Sequence, residues 1–122
     1  MNKELEIKAI ETIIKEIRKI NEKYQIRAEK ERAKVDDVYI TMFGEKVYIE
    51  DDINGFIEAD YITASQSNKY IEKLQAKKEK AGEVGQYTKS EYICKCLDNV
   101  LYNFASELIE LRKAGEPDGK ID

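Results

Sequence analysis

Apolar residues recur along the first third of the chain at helical spacing. Ile10, Ile13, Ile17, Ile20 and Tyr24 are separated by three, four, three and four positions, which lines them along one side of an α-helix. Ile7 and Ile14 widen the stripe, and Glu, Lys and Arg fill most other positions. The pattern predicts one long helix over residues 3–34. Arg27 falls where the stripe would continue. An Arg there pairs with a carboxylate, reaches a ligand or marks where the helix leaves the core. Residues 24–29 also alternate in polarity, so a strand is the alternative reading of that stretch.

The period then changes. Over residues 38–43, Val38, Ile40 and Met42 fall on one face and Tyr39, Thr41 and Phe43 on the other. Gly44-Glu45 reads as a tight turn, and Val47-Tyr48-Ile49 as the returning strand. Residues 51–55 read as a second turn, and residues 56–62 as a third strand with Ile57, Ala59 and Tyr61 on one side. Three short strands need a cover, which an amphipathic helix supplies.

Two helices follow. Thr63 and Gln66 form a capping box, and the helix predicted over residues 64–81 has Ile71 and Leu74 as apolar anchors, with Gly82 as its C-terminal stop. The last helix, residues 89–114, is the most apolar element. Ile93, Cys96, Leu97, Val100, Leu101, Phe104, Leu108 and Leu111 form its face, with Gly115 and Pro117 ending it. The fold class predicted is α+β: a long N-terminal helix, a three-stranded antiparallel meander and two C-terminal helices packed on the sheet. Residues 1–122 form a single domain, with 116–122 as a loose tail.

Between the two C-terminal helices runs Ala-Gly-Glu-Val-Gly-Gln-Tyr-Thr-Lys-Ser-Glu, residues 81–91. Gly82 and Gly85 permit tight backbone turns, and Thr88 with Glu91 makes a second capping box. A helix start offers free N–H groups and partial positive charge, which suit phosphate. Tyr87, Thr88, Lys89 and Ser90 thus make a candidate anion and ring-stacking site. The plain alternative is a turn between two helices. Tyr92, Asn103 and Arg112 lie along the last helix as candidates for a pocket or a dimer seam.

Composition narrows the chemistry. The chain has 122 residues, no histidine and a formal net charge of −4. Without histidine the commonest general base and metal ligand are absent, so catalysis is not expected, nor is a metal or other cofactor. The negative charge argues against coating nucleic acid directly. No apolar run is long enough to cross a membrane, and MNKELEIKAI lacks the apolar core of a signal peptide. Cys94 and Cys96 are two apart on a predicted helix and point in different directions, with Cys96 on the core face. A reduced cytoplasmic setting is expected.

Charge is uneven. Residues 36–60 carry eight acidic and one basic side chain, whereas residues 64–81 carry five lysines and two glutamates. Lys69, Lys73, Lys77 and Lys80 line one face of their helix, either as a basic ridge or as an ordinary solvated face. Glu50, Asp51, Asp52, Glu58 and Asp60 read as a cation-holding group, a phosphate-mimicking surface or a charged sheet edge. The first and last helices carry more apolar face than three short strands cover, with Ile7, Ile14, Tyr102 and Ile109 at the flanks. Self-association as a dimer or higher oligomer is expected, with a ligand cleft between copies.

The Lys-, Ile-, Glu- and Tyr-rich composition and the helix–meander–helix–helix layout resemble small phage proteins that blunt bacterial immunity. Among these the chain is most similar to the anti-Thoeris sponge proteins, which sequester a cyclic ADP-ribose signal without cleaving it. The resemblance lies in layout and composition over most of the chain, and no residue role is carried over from it. It implies a phage or prophage protein in the host bacterial cytoplasm that binds a small nucleotide. Such a ligand needs pyrophosphate donors, a ring for adenine and polar groups for two riboses. The residues that fit are Tyr87, Thr88, Lys89 and Ser90, with Asn103 along the last helix and Arg112 or Arg27 from a dimer partner closing the site. Two alternatives are an acidic inhibitor of a defence nuclease, such as an anti-CRISPR, and a structural oligomerisation protein of a mobile element.

Overall fold

The structure is a computed structural model and describes residues 2–115. It is α+β, with four helices and two small antiparallel hairpins. In chain order these are α1 (Lys3–Asp36), β1 (Ile40–Met42), β2 (Glu45–Val47), α2 (Glu50–Glu58), α3 (Ala64–Ala81), β3 (Glu83–Val84), β4 (Tyr87–Thr88) and α4 (Lys89–Gly115). The expected tail over residues 116–122 lies outside the described residues. Intrachain contacts gather into two compact units. One comprises Met1–Arg27 with Ser90–Asp122, the other Ala28–Lys89.

The first, two-helix unit is an antiparallel pair. Glu11 meets Arg112 near one end, and Asn21 donates from Nδ2 to Asp98 Oδ1 at 2.8 Å nearer the other. Ile10, Ile14 and Leu108 form its buried core, flanked by Ile7, Leu101, Phe104 and Leu111. Ile14, expected at the flank of the stripe, is thus central. Cys96 was expected on the core face, but it is exposed and Cys94 is half-buried. The reason is rotational: α4 turns Leu101 and Leu108 toward α1, which carries Cys96 beyond the contact line. α1 is continuous past Tyr24, so the strand alternative there does not occur.

The second unit is built on a different principle. β1 and β2 pair in the register Ile40↔Val47, Thr41↔Lys46 and Met42↔Glu45. The alternation expected for residues 38–43 is realised in β1, where Ile40 and Met42 are buried and Thr41 is exposed. The turn is Phe43-Gly44, one residue earlier than Gly44-Glu45. Both have positive φ, at 50° and 82°, as a type I′ hairpin requires. A side chain in that region costs about 1–2 kcal/mol. The Phe43 ring packs on Phe56 and Tyr61 with centroids 5.5 Å from each, contacts that offset much of the cost.

The third strand expected over residues 56–62 is absent. The chain from Glu50 to Glu58 is α2, and the three-stranded meander reduces to one hairpin. Ile53, Phe56 and Ile57 stand at i, i+3 and i+4, the spacing that a helix buries on one side. Glu50, Asp51 and Asp52 occupy its first turn, where negative charge complements the helix dipole. These acids therefore have a structural task, and Gly55, read as a turn residue, is helical. α2 stops in a Schellman arrangement. Tyr61 N–H donates to the Phe56 carbonyl at 2.9 Å and Asp60 N–H to the Ile57 carbonyl at 3.0 Å. Asp60 sits at φ 63°, and the Tyr61 ring covers Phe56 with centroids 5.9 Å apart, the apolar contact that accompanies this stop.

α3 begins and ends as the sequence implies. Gln66 N–H donates to Thr63 Oγ1 at 3.1 Å, Thr63 N–H donates to Gln66 Oε1 at 2.9 Å, and Gly82 closes the helix at φ 120°. Thr63→Ala is expected to cost about 1 kcal/mol, read as a lowered urea midpoint with an unchanged slope. An unchanged midpoint would show that water replaces the cap without loss. The core of this unit is Ile40, Met42, Val47, Ile53, Ile62 and Leu74.

Candidate functional site

The glycine-punctuated stretch is a β-hairpin rather than an open loop. β3 pairs with β4 in the register Glu83↔Thr88 and Val84↔Tyr87. Gly85, at φ 68°, fills the first central position of a type II′ turn, which needs glycine there. Arg32 of α1 clamps the hairpin. Its Nη1 lies 2.9 Å from Glu83 Oε2, and its Nη2 donates to the Gln86 carbonyl at 3.1 Å. Both partners of that ion pair are largely shielded, with side chains 28% and 17% exposed. Arg32 carries no period signal of its own, and only the folded hairpin shows what it does.

Burial separates the candidate residues of this hairpin. Thr88 and Ser90 are 1% and 2% exposed, so their side chains belong to the interior. Tyr87 is half-buried and Lys89 exposed. The hollow beside the turn holds about 490 Å³ and includes Glu50, Glu79 and Glu83 against Lys78. None of Tyr87, Thr88, Lys89 and Ser90 lines this hollow, and its Glu83 is the carboxylate held by Arg32. The lysine ridge of α3 is partly engaged as well. Lys77 Nζ donates to the Tyr39 carbonyl at 3.2 Å and lies 6.0 Å from the Tyr39 ring centre.

The remaining candidates lie in the two-helix unit. Arg27 is exposed and stacks over the Tyr24 ring of its own helix at 5.0 Å. Asn103 is exposed on α4. Arg112 lines a groove. Its Nη2 contacts Glu11 Oε2 at 2.6 Å, and both are about half exposed.

That groove runs between α1 and α4 and holds about 650 Å³. Ile14, Ala105, Leu108 and Ile109 make its apolar floor. Lys15, Arg18, Lys19 and Arg112 face Glu11 and Glu22 around it, leaving a net positive lining. Lys19 is partly held by Glu16 at 3.4 Å. Lys15 and Arg18 have no ion pair among the described residues. The sequence reading missed these cations, although a signal existed. Glu11, Lys15, Arg18 and Glu22 are spaced four, three and four, a charged stripe roughly 150° around the helix from the isoleucine stripe.

Among the described residues no group of three or more Cys, Asp or Glu is arranged to hold a metal ion. No described helix is long and apolar enough to cross a membrane. No protein-family model, no curated protein and no solved structure matches this chain.

Proposed function

We propose that this chain is a non-enzymatic binding protein that sequesters a small phosphate-bearing nucleotide, of the cyclic ADP-ribose type, in the α1–α4 groove. The observation that carries the reading is the amphiphilic lining of that groove. An apolar floor accepts a base, while Lys15, Arg18 and Arg112 supply charge-assisted donors to phosphate oxygens. In this reading Glu22, and Glu11 beside Arg112, accept from ribose hydroxyls. The absence of histidine from the whole chain favours holding a ligand over turning it over. The anti-defence setting, in a phage or prophage and the host bacterial cytoplasm, rests on the resemblance in composition and layout alone.

The test is thermal stability against cyclic ADP-ribose isomers, ADP-ribose, and cyclic di- and trinucleotides. A ligand at a hundred times its dissociation constant adds about 2.7 kcal/mol, a shift of several degrees. The expected result is such a shift with one of these nucleotides, with the ligand recovered unaltered after heating. Altered ligand would make the chain an enzyme. No shift with any of them would sink the nucleotide reading.

One feature favours the alternative, an acidic protein that inhibits a nuclease. Phe43 and Tyr61 are 57% and 64% exposed, and Tyr61 shares a hollow with Glu45 and Asp52. Exposed rings beside carboxylates suit a basic protein surface. Substituting Asp51 and Asp52 by Lys would abolish that inhibition and spare nucleotide binding.

A further inference from the structure

We propose that the two-helix unit pairs with the same unit of a second copy, through the face opposite the α1–α4 groove, to form a four-helix bundle. Each helix carries a wider apolar arc than its neighbour covers. On α1 the residues turned to α4 are Ile10, Ile14 and Asn21, whereas the heptad-like stripe runs through Ile13, Ile17 and Ile20. Ile13 and Ile20 therefore remain 38% and 47% exposed. On α4 the contact line passes through Leu101 and Leu108, and Val100 is left 38% exposed with Cys96 beside it.

The handedness of the two excesses decides the matter. At about 100° per residue, Ile13 and Ile20 lie roughly a quarter turn to one side of the α1 contact line. Ile93 and Val100 lie roughly a quarter turn to the same rotational side of the α4 contact line. Because the helices are antiparallel, equal rotations open onto one face of the pair. Glu11, Arg18 and Ile109 lie a quarter turn the other way, on the groove face. Ile13, Ile20, Ile93 and Val100 thus share one face of the unit, while the groove cations lie on the other beside the exposed Ile109.

A second copy fits the apolar face in area and in charge. α4 has 27 residues, about 40 Å at 1.5 Å per residue, and two helices side by side are about 20 Å wide. The face is therefore roughly 800 Å², the area each partner contributes to a standard stable interface. Along the seam from Ile10 to Arg27 and from Ile93 to Leu111, the charges are Arg27 and Glu107, opposite in sign. Two identical faces thus meet without a concentration of like charge, although each chain carries −4 overall.

The experiment is the solution mass of the full chain at tens of micromolar, by light scattering or sedimentation. Twice the chain mass of 14.2 kDa is expected. Ile20→Glu combined with Val100→Glu should give 14.2 kDa with unchanged helical circular dichroism, because neither side chain is buried within its own chain. Tyr102→Glu, on the groove side and 72% exposed, should remain a dimer. A monomeric wild-type chain would overturn the proposal, as would a dimer that survives the double substitution or is broken by Tyr102→Glu. Loss of helicity in the double variant would show these residues to be needed within the chain, and would equally overturn it.

Discussion

Leu74→Ala is expected to lower the stability of the Ala28–Lys89 unit by about 2–5 kcal/mol. Leu74 is 1% exposed at the centre of a cluster with Ile40, Met42, Val47, Ile53 and Ile62. Those residues come from β1, β2, α2 and the turn before α3, so Leu74, with Tyr70 and Ile71 packed beside it, holds α3 against the rest of the cluster. The neighbours are fixed by a hairpin register and a helix stop, and they have little freedom to collapse into the vacated space. A unit of about 60 residues has only some 3–9 kcal/mol of stability in total, so the loss is a large fraction of it. At about 4–8 °C per kcal/mol for a domain of this size, the unfolding midpoint should fall by about 8 °C or more. Val84→Ala, at a position 79% exposed, should stay within about 0.5 kcal/mol. The measurement is the midpoint of thermal unfolding by circular dichroism. A loss below 1 kcal/mol for Leu74→Ala would show that the cluster is not the core of this unit.

Arg18→Glu together with Lys15→Glu is expected to weaken binding of an anionic nucleotide by a hundredfold or more. A hydrogen bond to a charged group contributes about 1.5–3 kcal/mol, so losing two corresponds to a factor of about 10²–10⁴ before repulsion is counted. Both side chains project from an exposed face of α1, and stability should change little. Glu22→Gln removes one of the two carboxylates of the groove and should tighten the same ligand several-fold. Opposite signs from neighbouring positions distinguish an electrostatic site from a general loss of structure. The check is titration calorimetry at fixed salt, since screening reduces every one of these terms. Equal affinity for wild type and the double substitution would remove the groove as the site. Tyr87→Ala and Lys89→Ala in the same series would then report on the β3–β4 hairpin instead.

How much was legible varied with the kind of signal. α1 could be read from its period alone, and α3 and α4 because each combines a period with a cap and a stop. The Thr63 and Gln66 box and Gly82 bound α3 within the residue. The stretch from Glu50 to Tyr61 was misread because its apolar residues fit two periods. Ile57, Ala59 and Tyr61 alternate as in a strand, while Ile53, Phe56 and Ile57 fit a helix. Contacts with Leu74 and Val47 decide between the two, and those lie outside any local window. The candidate site was legible only in Arg112. A charged stripe such as Glu11, Lys15, Arg18 and Glu22 looks like any solvated helix face until the opposing helix lays an apolar floor beside it.

The one-dimensional pattern by itself determined where the long helices begin and end, that a β1–β2 hairpin follows the first of them, and that histidine chemistry is unavailable. Capping, turn formation and helical periodicity depend on residues within about four positions of one another, so they are written locally. Tertiary structure alone decided which side of each apolar stripe is covered, that Arg32 locks the glycine hairpin, and that Thr88 and Ser90 face inward. It also placed Lys15 and Arg18 beside Arg112, residues some ninety positions apart in the chain. The rotation of one helix against another follows from the summed packing of side chains on both, a quantity that neither helix carries in its own sequence.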